Sequence, residues 1–443
     1  MLDISPEIMT LLMFVGLFLG LFLGHPLYSV LGGLAVFFGI VGWGPACFPV
    51  FINRIFGIMD NFILAAIPLF ILMANFLEKS GVADGLFESL RYLLGPLRGG
   101  LGLAVIIVCT IFAACTGVVG ASVTTMALLA MPMMLKYGYD KSLTSGAICA
   151  GGTLGILIPP SIMLVLMGDQ SGLSVGKLLL GGVVPGIILS SLYVAYIATV
   201  CHIWPEMGPP LSLEERKAVS VKKRLSLAAI NLVPPALLII GVLGAIFSGV
   251  ATPTEASGMG AFLALVMTIA YRRFSLRMVY NTLITTGRAV SMVMMIMVGA
   301  SCFTGVFLGI GGANVMTDFI LNLGMGHKWL ILAIMMIIVF ILGALIDWIG
   351  IIYITFPIFI PIAQKLGFDP LWFVLLIAVN LQNSFLTPPF GYSLFYLRGV
   401  APAEVTTANI FRGIFPFVVL QLVGLILCIL FPNVLLWLPS FID

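Results

Sequence analysis

Two double prolines lie inside apolar stretches of this sequence, Pro159-Pro160 and Pro388-Pro389, and polar side chains gather beside each. Proline removes a backbone donor and clashes with the preceding turn, so a pair of them breaks a helix. Carbonyls freed at membrane depth persist only where they line a cavity or hold an ion. Ser161 follows the first break, while Asn380, Gln382, Asn383, Ser384 and Thr387 precede the second. A further chemistry-bearing stretch, CTGVVGASVTT, runs from Cys115 to Thr125. Its glycines suit a tight re-entrant tip, and its carbonyls and hydroxyls suit a dehydrated sodium ion; the competing reading is close packing of small residues. Asp347 is the only acid between residues 329 and 364. A carboxylate within a membrane segment points to function by default, here ion binding or gating, against hydrogen bonding to the backbone at a tip. Glu255 reads differently. In Ala251-Thr252-Pro253-Thr254-Glu255, Thr252 suits an N-cap, Pro253 the first turn and Glu255 the reciprocal cap.

The elements that position these groups must be membrane helices. Of 443 residues, 61% are hydrophobic and 8% charged, with a mean hydropathy of +1.22. A water-soluble domain carries about a quarter charged residues. Residues 101–135, 178–201, 227–254, 289–317 and 329–346 hold no charge at all. Each run can contain a span of about 20 residues. Such runs lack the alternation of a β-barrel, which excludes that class. Seven cysteines without a CxxC pair suggest neither zinc nor dithiol chemistry and read as small packing residues. The acidic N-terminus without a basic region predicts a retained first span in place of a signal peptide. No HExxH occurs, and the Gly176-Lys177 pair lacks the rest of a phosphate loop. An enzyme is thereby the weakest reading, and the missing nucleotide loop argues against a pump powered by this chain.

Spans are expected at about 8–24, 26–43, 61–77, 143–168 and 179–203 in the first half, with a hairpin at 101–134. In the second half they are expected at about 228–247, 254–271, 288–309, 371–396 and 408–434, with a hairpin at 329–361. The basic linker 205–226 belongs in the cytoplasm by the positive-inside rule. Tracing outward from it leaves only Arg54, Lys177, Lys328 and Lys365 of the 20 basic residues outside. That sorting requires the first hairpin to enter and leave on one side.

Residues 131–160 align without a gap to 360–389, at an offset of 229. Identities include Pro132/Pro361, Lys136/Lys365, Gly138/Gly367, Asp140/Asp369 and both double prolines. Lys136 falls inside and Lys365 outside, so the repeats are inverted, and inverted halves with broken helices mark secondary transporters. The sequence therefore predicts an all-α integral membrane protein of two inverted-topology repeats, 1–204 and 227–443, joined by the linker 205–226. Each repeat carries scaffold spans, a re-entrant helical hairpin and a broken transmembrane helix, 143–168 and 371–396 respectively.

These motifs resemble the large membrane subunit of the tripartite ATP-independent periplasmic (TRAP) transporters along essentially the full chain. The strings that carry the resemblance are ATPTEASGMGAF at 251–262, GTLGILIPPSIML at 152–164 and AVNLQNSFLTPPFGYSLF at 378–395, with KYGYDKSLTSGA at 136–147 and LGFDPLWF at 366–373. The resemblance implies an elevator-type, sodium-coupled importer in the bacterial inner membrane, with sodium as coupling ion and no other cofactor. It implies two further components: a four-span small subunit, expected as a separate chain, and a periplasmic binding protein that delivers a small organic acid. One sodium ion is then expected between Thr116, Gly117, Gly120 and Ser122 and the break at Ile158-Pro159. A second is expected between Ala344 and Asp347 and the break at Thr387-Pro388, with substrate contacted by Ser161, Asn383 and Ser384. The first tip departs from the serine-rich tip associated with many members. The alternative is a stand-alone ion-coupled carboxylate carrier that needs no binding protein.

Overall fold

The computed structural model describes residues 5–117, 119–212, 220–388 and 391–442, with only the backbone for 113–116 and 221. Twenty α-helices, named here in chain order, account for the described architecture. The first half holds α1 (Pro6–Phe22), α2 (Leu27–Trp43), α3 (Phe48–Met59), α4 (Ala66–Ser80) and α5 (Val82–Leu94). It continues with α6 (Gly100–Thr116), α7 (Val119–Lys136), α8 (Lys141–Thr153), α9 (Ile162–Ser171) and α10 (Val175–Ile203). The second half holds α11 (Val221–Phe247), α12 (Pro253–Ala270), α13 (Leu276–Gly309), α14 (Gly312–Leu323) and α15 (Lys328–Gly343). It ends with α16 (Trp348–Lys365), α17 (Pro370–Ser384), α18 (Tyr392–Val400), α19 (Thr407–Leu430) and α20 (Asn433–Leu436).

Helix bounds recur between the halves. Val119–Lys136 returns 229 residues later as Trp348–Lys365, and Lys141–Thr153 returns as the start of Pro370–Ser384. Packing recurs as well: α4 lies along α12, and their counterparts α13 and α2 lie along one another.

Three helices escape a reading based on charge-free runs: α3, α5 and α14. α5 shows why. It buries Val82, Ala83, Leu86, Phe87 and Leu90 on one face, the i, i+3, i+4 spacing of an amphipathic helix. Asp84, Glu88 and Arg91 interrupt its hydropathy. The predicted span at 61–77 resolves into a short 3-10 turn, Phe62–Ala65, and then α4. The span expected at 288–309 is a 34-residue helix that begins at Leu276, because the charged turns carrying Arg277 and Arg288 also coil. The linker's last residues join α11 from Val221, with Ser220 as N-cap; residues 213–219 lie outside the description. Its first residues are strapped to the helix ends by Gly99 N–H to Gly208 O (2.8 Å), Asp140 N–H to Met207 O (3.0 Å) and Leu211 N–H to Gly95 O (2.9 Å).

The cap predicted at Glu255 forms: Thr252 Oγ1 accepts from Glu255 N–H at 3.2 Å, and the Glu255 carboxylate accepts from Thr252 N–H at 2.8 Å. Among the described residues, nine helical segments are long and apolar enough to cross a membrane. The described free cysteines are all buried.

Candidate functional site

Both predicted breaks interrupt helices. α8 ends at Thr153, tightens through a 3-10 turn at Leu154–Ile156, and restarts as α9 at Ile162. Ser161 caps the restart: its Oγ accepts from Leu164 N–H at 3.3 Å and donates to the Ile156 carbonyl, spanning the break. Ile158 and Pro159 are buried within it. α17 ends at Ser384 and α18 begins at Tyr392. Thr387 donates its hydroxyl to the Asn383 carbonyl at 2.8 Å, Pro388 is exposed, and Pro389 lies outside the description.

Each hairpin tip seats on the break of its own half. Gly117 has φ of +59°, a left-handed conformation natural to glycine, and a methyl there would stand 3.0 Å from the Pro160 carbonyl oxygen. At the second tip, a methyl on Gly343 would overlap Ser384 Oγ. Ala344 closes α15 as its C-cap. Each outgoing hairpin helix then crosses over, α7 packing on α18 and α16 on α9.

Ser122 is buried on α7. A methyl on Gly120 would strike the Tyr396 ring, and its carbonyl accepts the Thr124 hydroxyl at 2.7 Å. The Thr116 side chain lies outside the description. Asp347 stands at the N-cap of α16 and closes no side-chain capping bond there. It is within electrostatic reach of Tyr392 and Tyr396 on α18. Tyr396 therefore lies against the first tip, a placement that sequence reading did not single out.

The interior between the breaks is polar and incompletely paired. Asn383 is fully buried, yet among the described residues neither Oδ1 nor Nδ2 has a hydrogen-bond partner, and Ser384 Oγ and Gln382 Oε1 share that condition. Buried polar atoms are nearly always satisfied, which sets these atoms beside the second break apart from the rest of the interior. Gln382 Nε2 approaches Thr153 Oγ1 at 3.5 Å, across a separation of 229 residues. The two positions are equivalent in the ungapped alignment of 131–160 with 360–389. The contact joins the end of α8 to the end of α17. Gln421 Nε2 reaches the same hydroxyl at 3.4 Å. Thr153 and Gln421 were missed by sequence reading, although the ungapped repeat already set Thr153 opposite Gln382.

A bundle of membrane spans, with two helices broken inside it and polar side chains buried beside the breaks, has the make-up of a membrane permease. The chain matches, over residues 11–434, the family described as "Tripartite ATP-independent periplasmic transporter, DctM component", and it belongs to that family. It is 33% identical over 392 residues to the C4-dicarboxylate TRAP transporter large permease protein DctM of Pseudomonas aeruginosa, covering 88% of this chain and 89% of that one. It is 30% identical to the isethionate TRAP transporter permease protein DctMQ of Oleidesulfovibrio alaskensis, covering 91% of this chain and 62% of that one. The crystal structure of the Alcanivorax borkumensis YdaH transporter superposes with a TM-score of 0.63 at 14% identity, covering 98% of this chain and all of that one, a likeness of fold. The protein is a TRAP large permease, multi-pass in the bacterial inner membrane.

Proposed function

We propose that this chain is the translocating subunit for sodium-coupled uptake of a small organic acid, handed over by a periplasmic binding protein and supported by a separate small membrane subunit. The observation that carries the reading is the pairing of two hairpin tips with two helix breaks around the unpartnered Asn383 and Ser384. A hard cation takes several oxygen ligands, and broken helices offer carbonyls without a buried charge. The first ion is held near Thr116, Gly117, Gly120 and Ser122 against Ile158-Pro159. The second is held near Ala344 and Asp347 against Thr387-Pro388. The acid lies between the tips, contacted by Asn383, Ser384 and Ser161. C4-dicarboxylates, named for the Pseudomonas aeruginosa relative, are the first class to try.

The halves are inverted in the membrane, and each hairpin is re-entrant. Helices α6 and α15 have 17 and 16 residues. At 1.5 Å per residue they reach about 25 Å, short of a roughly 30 Å hydrocarbon core. An elevator movement is supported by an asymmetry between equivalent helices. α9 is buried from Ile162 to Gly168 and docks on α4 and the turn before it. Its counterpart α18 exposes Phe395 and Tyr396 and packs chiefly on α7, α8 and α19. With α18 on the cytoplasmic side, this is an inward-open arrangement. The test is uptake by proteoliposomes: Asn383→Ala should abolish sodium-driven uptake while insertion and yield stay normal, and undiminished uptake would overturn the site.

A further inference from the structure

A second polar cavity, of about 310 Å³, lies away from the breaks, between α3 and the loop after it on one side and α9 and α16 on the other. Asn53, Arg54, Asn61, Asp169, Gln170 and Tyr353 line it. Asp169 is already engaged, accepting from Asn61 Nδ2 and, at 2.7 Å, from Gln170 Nε2. Arg54 has no ion pair or hydrogen bond among the described residues; its guanidinium chain lies along α13 at Gly305. Tyr353 is 3% exposed, and its hydroxyl has no hydrogen-bond partner among the described residues. That hydroxyl is within electrostatic reach of both Arg54 and Asp169. Two groups able to donate thus face the cavity, the exposed guanidinium of Arg54 at its rim and the buried phenol of Tyr353. A ligand with acceptor oxygens and negative charge would satisfy both, with the Asp169 carboxylate held aside by Asn61 and Gln170.

We propose that this cavity is a second binding site for a small carboxylate, received by the guanidinium of Arg54 and the hydroxyl of Tyr353. A guanidinium matches a carboxylate with two parallel hydrogen bonds, and the volume sits at the small end of ligand cavities. On the sidedness proposed above, the site lies on the outer half of the protein, between elements of the two bodies an elevator would separate. Its occupant bridges Arg54 on α3 to Tyr353 on α16 and holds that face closed.

The probe is succinate, and the readout is local. The full chain carrying Asn53→Cys is placed in nanodiscs, where both faces are accessible, and its labelling by a polar thiol reagent is timed. Succinate at about ten times its dissociation constant should slow labelling about tenfold, the factor that occupancy dictates. Arg54→Gln should remove the protection, Tyr353→Phe should weaken it, and Asn383→Ala should leave it intact, which separates this cavity from the transport site. Absence of protection, or protection that survives Arg54→Gln, overturns the proposal. Protection lost instead in Asn383→Ala assigns the binding to the central site and overturns it equally. The conservative Tyr353→Phe variant keeps the test decisive if Arg54→Gln folds poorly.

Discussion

Asn383 carries two polar atoms into full burial without a partner for either. Leaving such groups unpaired costs about 1–3 kcal/mol each. Replacing Asn383 by Leu, which brings no polar atoms, should therefore leave the thermal midpoint unchanged or raise it while uptake is lost. A large fall in the midpoint would mean that Asn383 has a structural partner. Thr387 differs, because its hydroxyl is half-buried and already donates to the Asn383 carbonyl. Its oxygen lone pairs remain for an ion. Thr387→Ala should raise the sodium concentration for half-maximal uptake about fivefold, equivalent to about 1 kcal/mol, with expression unaltered. Ser122→Ala, at the other tip, is expected to do the same. Unchanged sodium dependence in both would make the two hydroxyls packing groups.

Helix ends and crossings decide how firmly these residues are held. The Thr252–Glu255 box starts α12 far from the breaks. Thr252→Ala should cost about 1 kcal/mol, visible as a lower thermal midpoint with unchanged sodium dependence. Gly146 and Gly413 bring α8 and α19 into backbone contact: a methyl on Gly413 would collide with the Ser142 carbonyl. Gly413→Ala should destabilise by about 1–3 kcal/mol, the cost of overpacking a fitted interior, and a neutral result would show that the crossing can open. The sequence made the breaks legible because proline leaves no alternative, and it made the Glu255 cap legible because the motif is local. The arms α3, α5 and α14 were not legible as spans, since charged residues such as Asp84, Arg54 and Asp318 interrupt their hydropathy. The contact of Tyr396 with Gly120 joins residues far apart in the chain, and no local pattern announces it. For the same reason, Gln421 beside Thr153 emerges only once α19 is laid on α8.

At the scale of the molecule, the recurrence of helices at 229 residues and the Thr153–Gln382 contact between equivalent positions describe two halves meeting at one centre. The docking of α9 against α4 is unmatched by α18 against α13 to a comparable extent among the described residues, and the proposed movement takes this as its closed side. Asn61 reaches Asp169 across that closed side. A short bifunctional thiol reagent joining Asn61→Cys to Asp169→Cys should trap this state and stop uptake, and a cleavable linker should restore it on reduction. Full uptake with the link in place would exclude the proposed movement. The account rests on sodium-driven transport through the paired breaks, and one reconstitution tests it most directly. The chain is placed in liposomes with its small subunit, binding protein loaded with a radiolabelled C4-dicarboxylate is added outside, and the sodium gradient alone is varied. Accumulation that requires an inward sodium gradient and the binding protein, and disappears in Asn383→Ala, is the predicted result. Accumulation that persists without sodium, or without the binding protein, would contradict it.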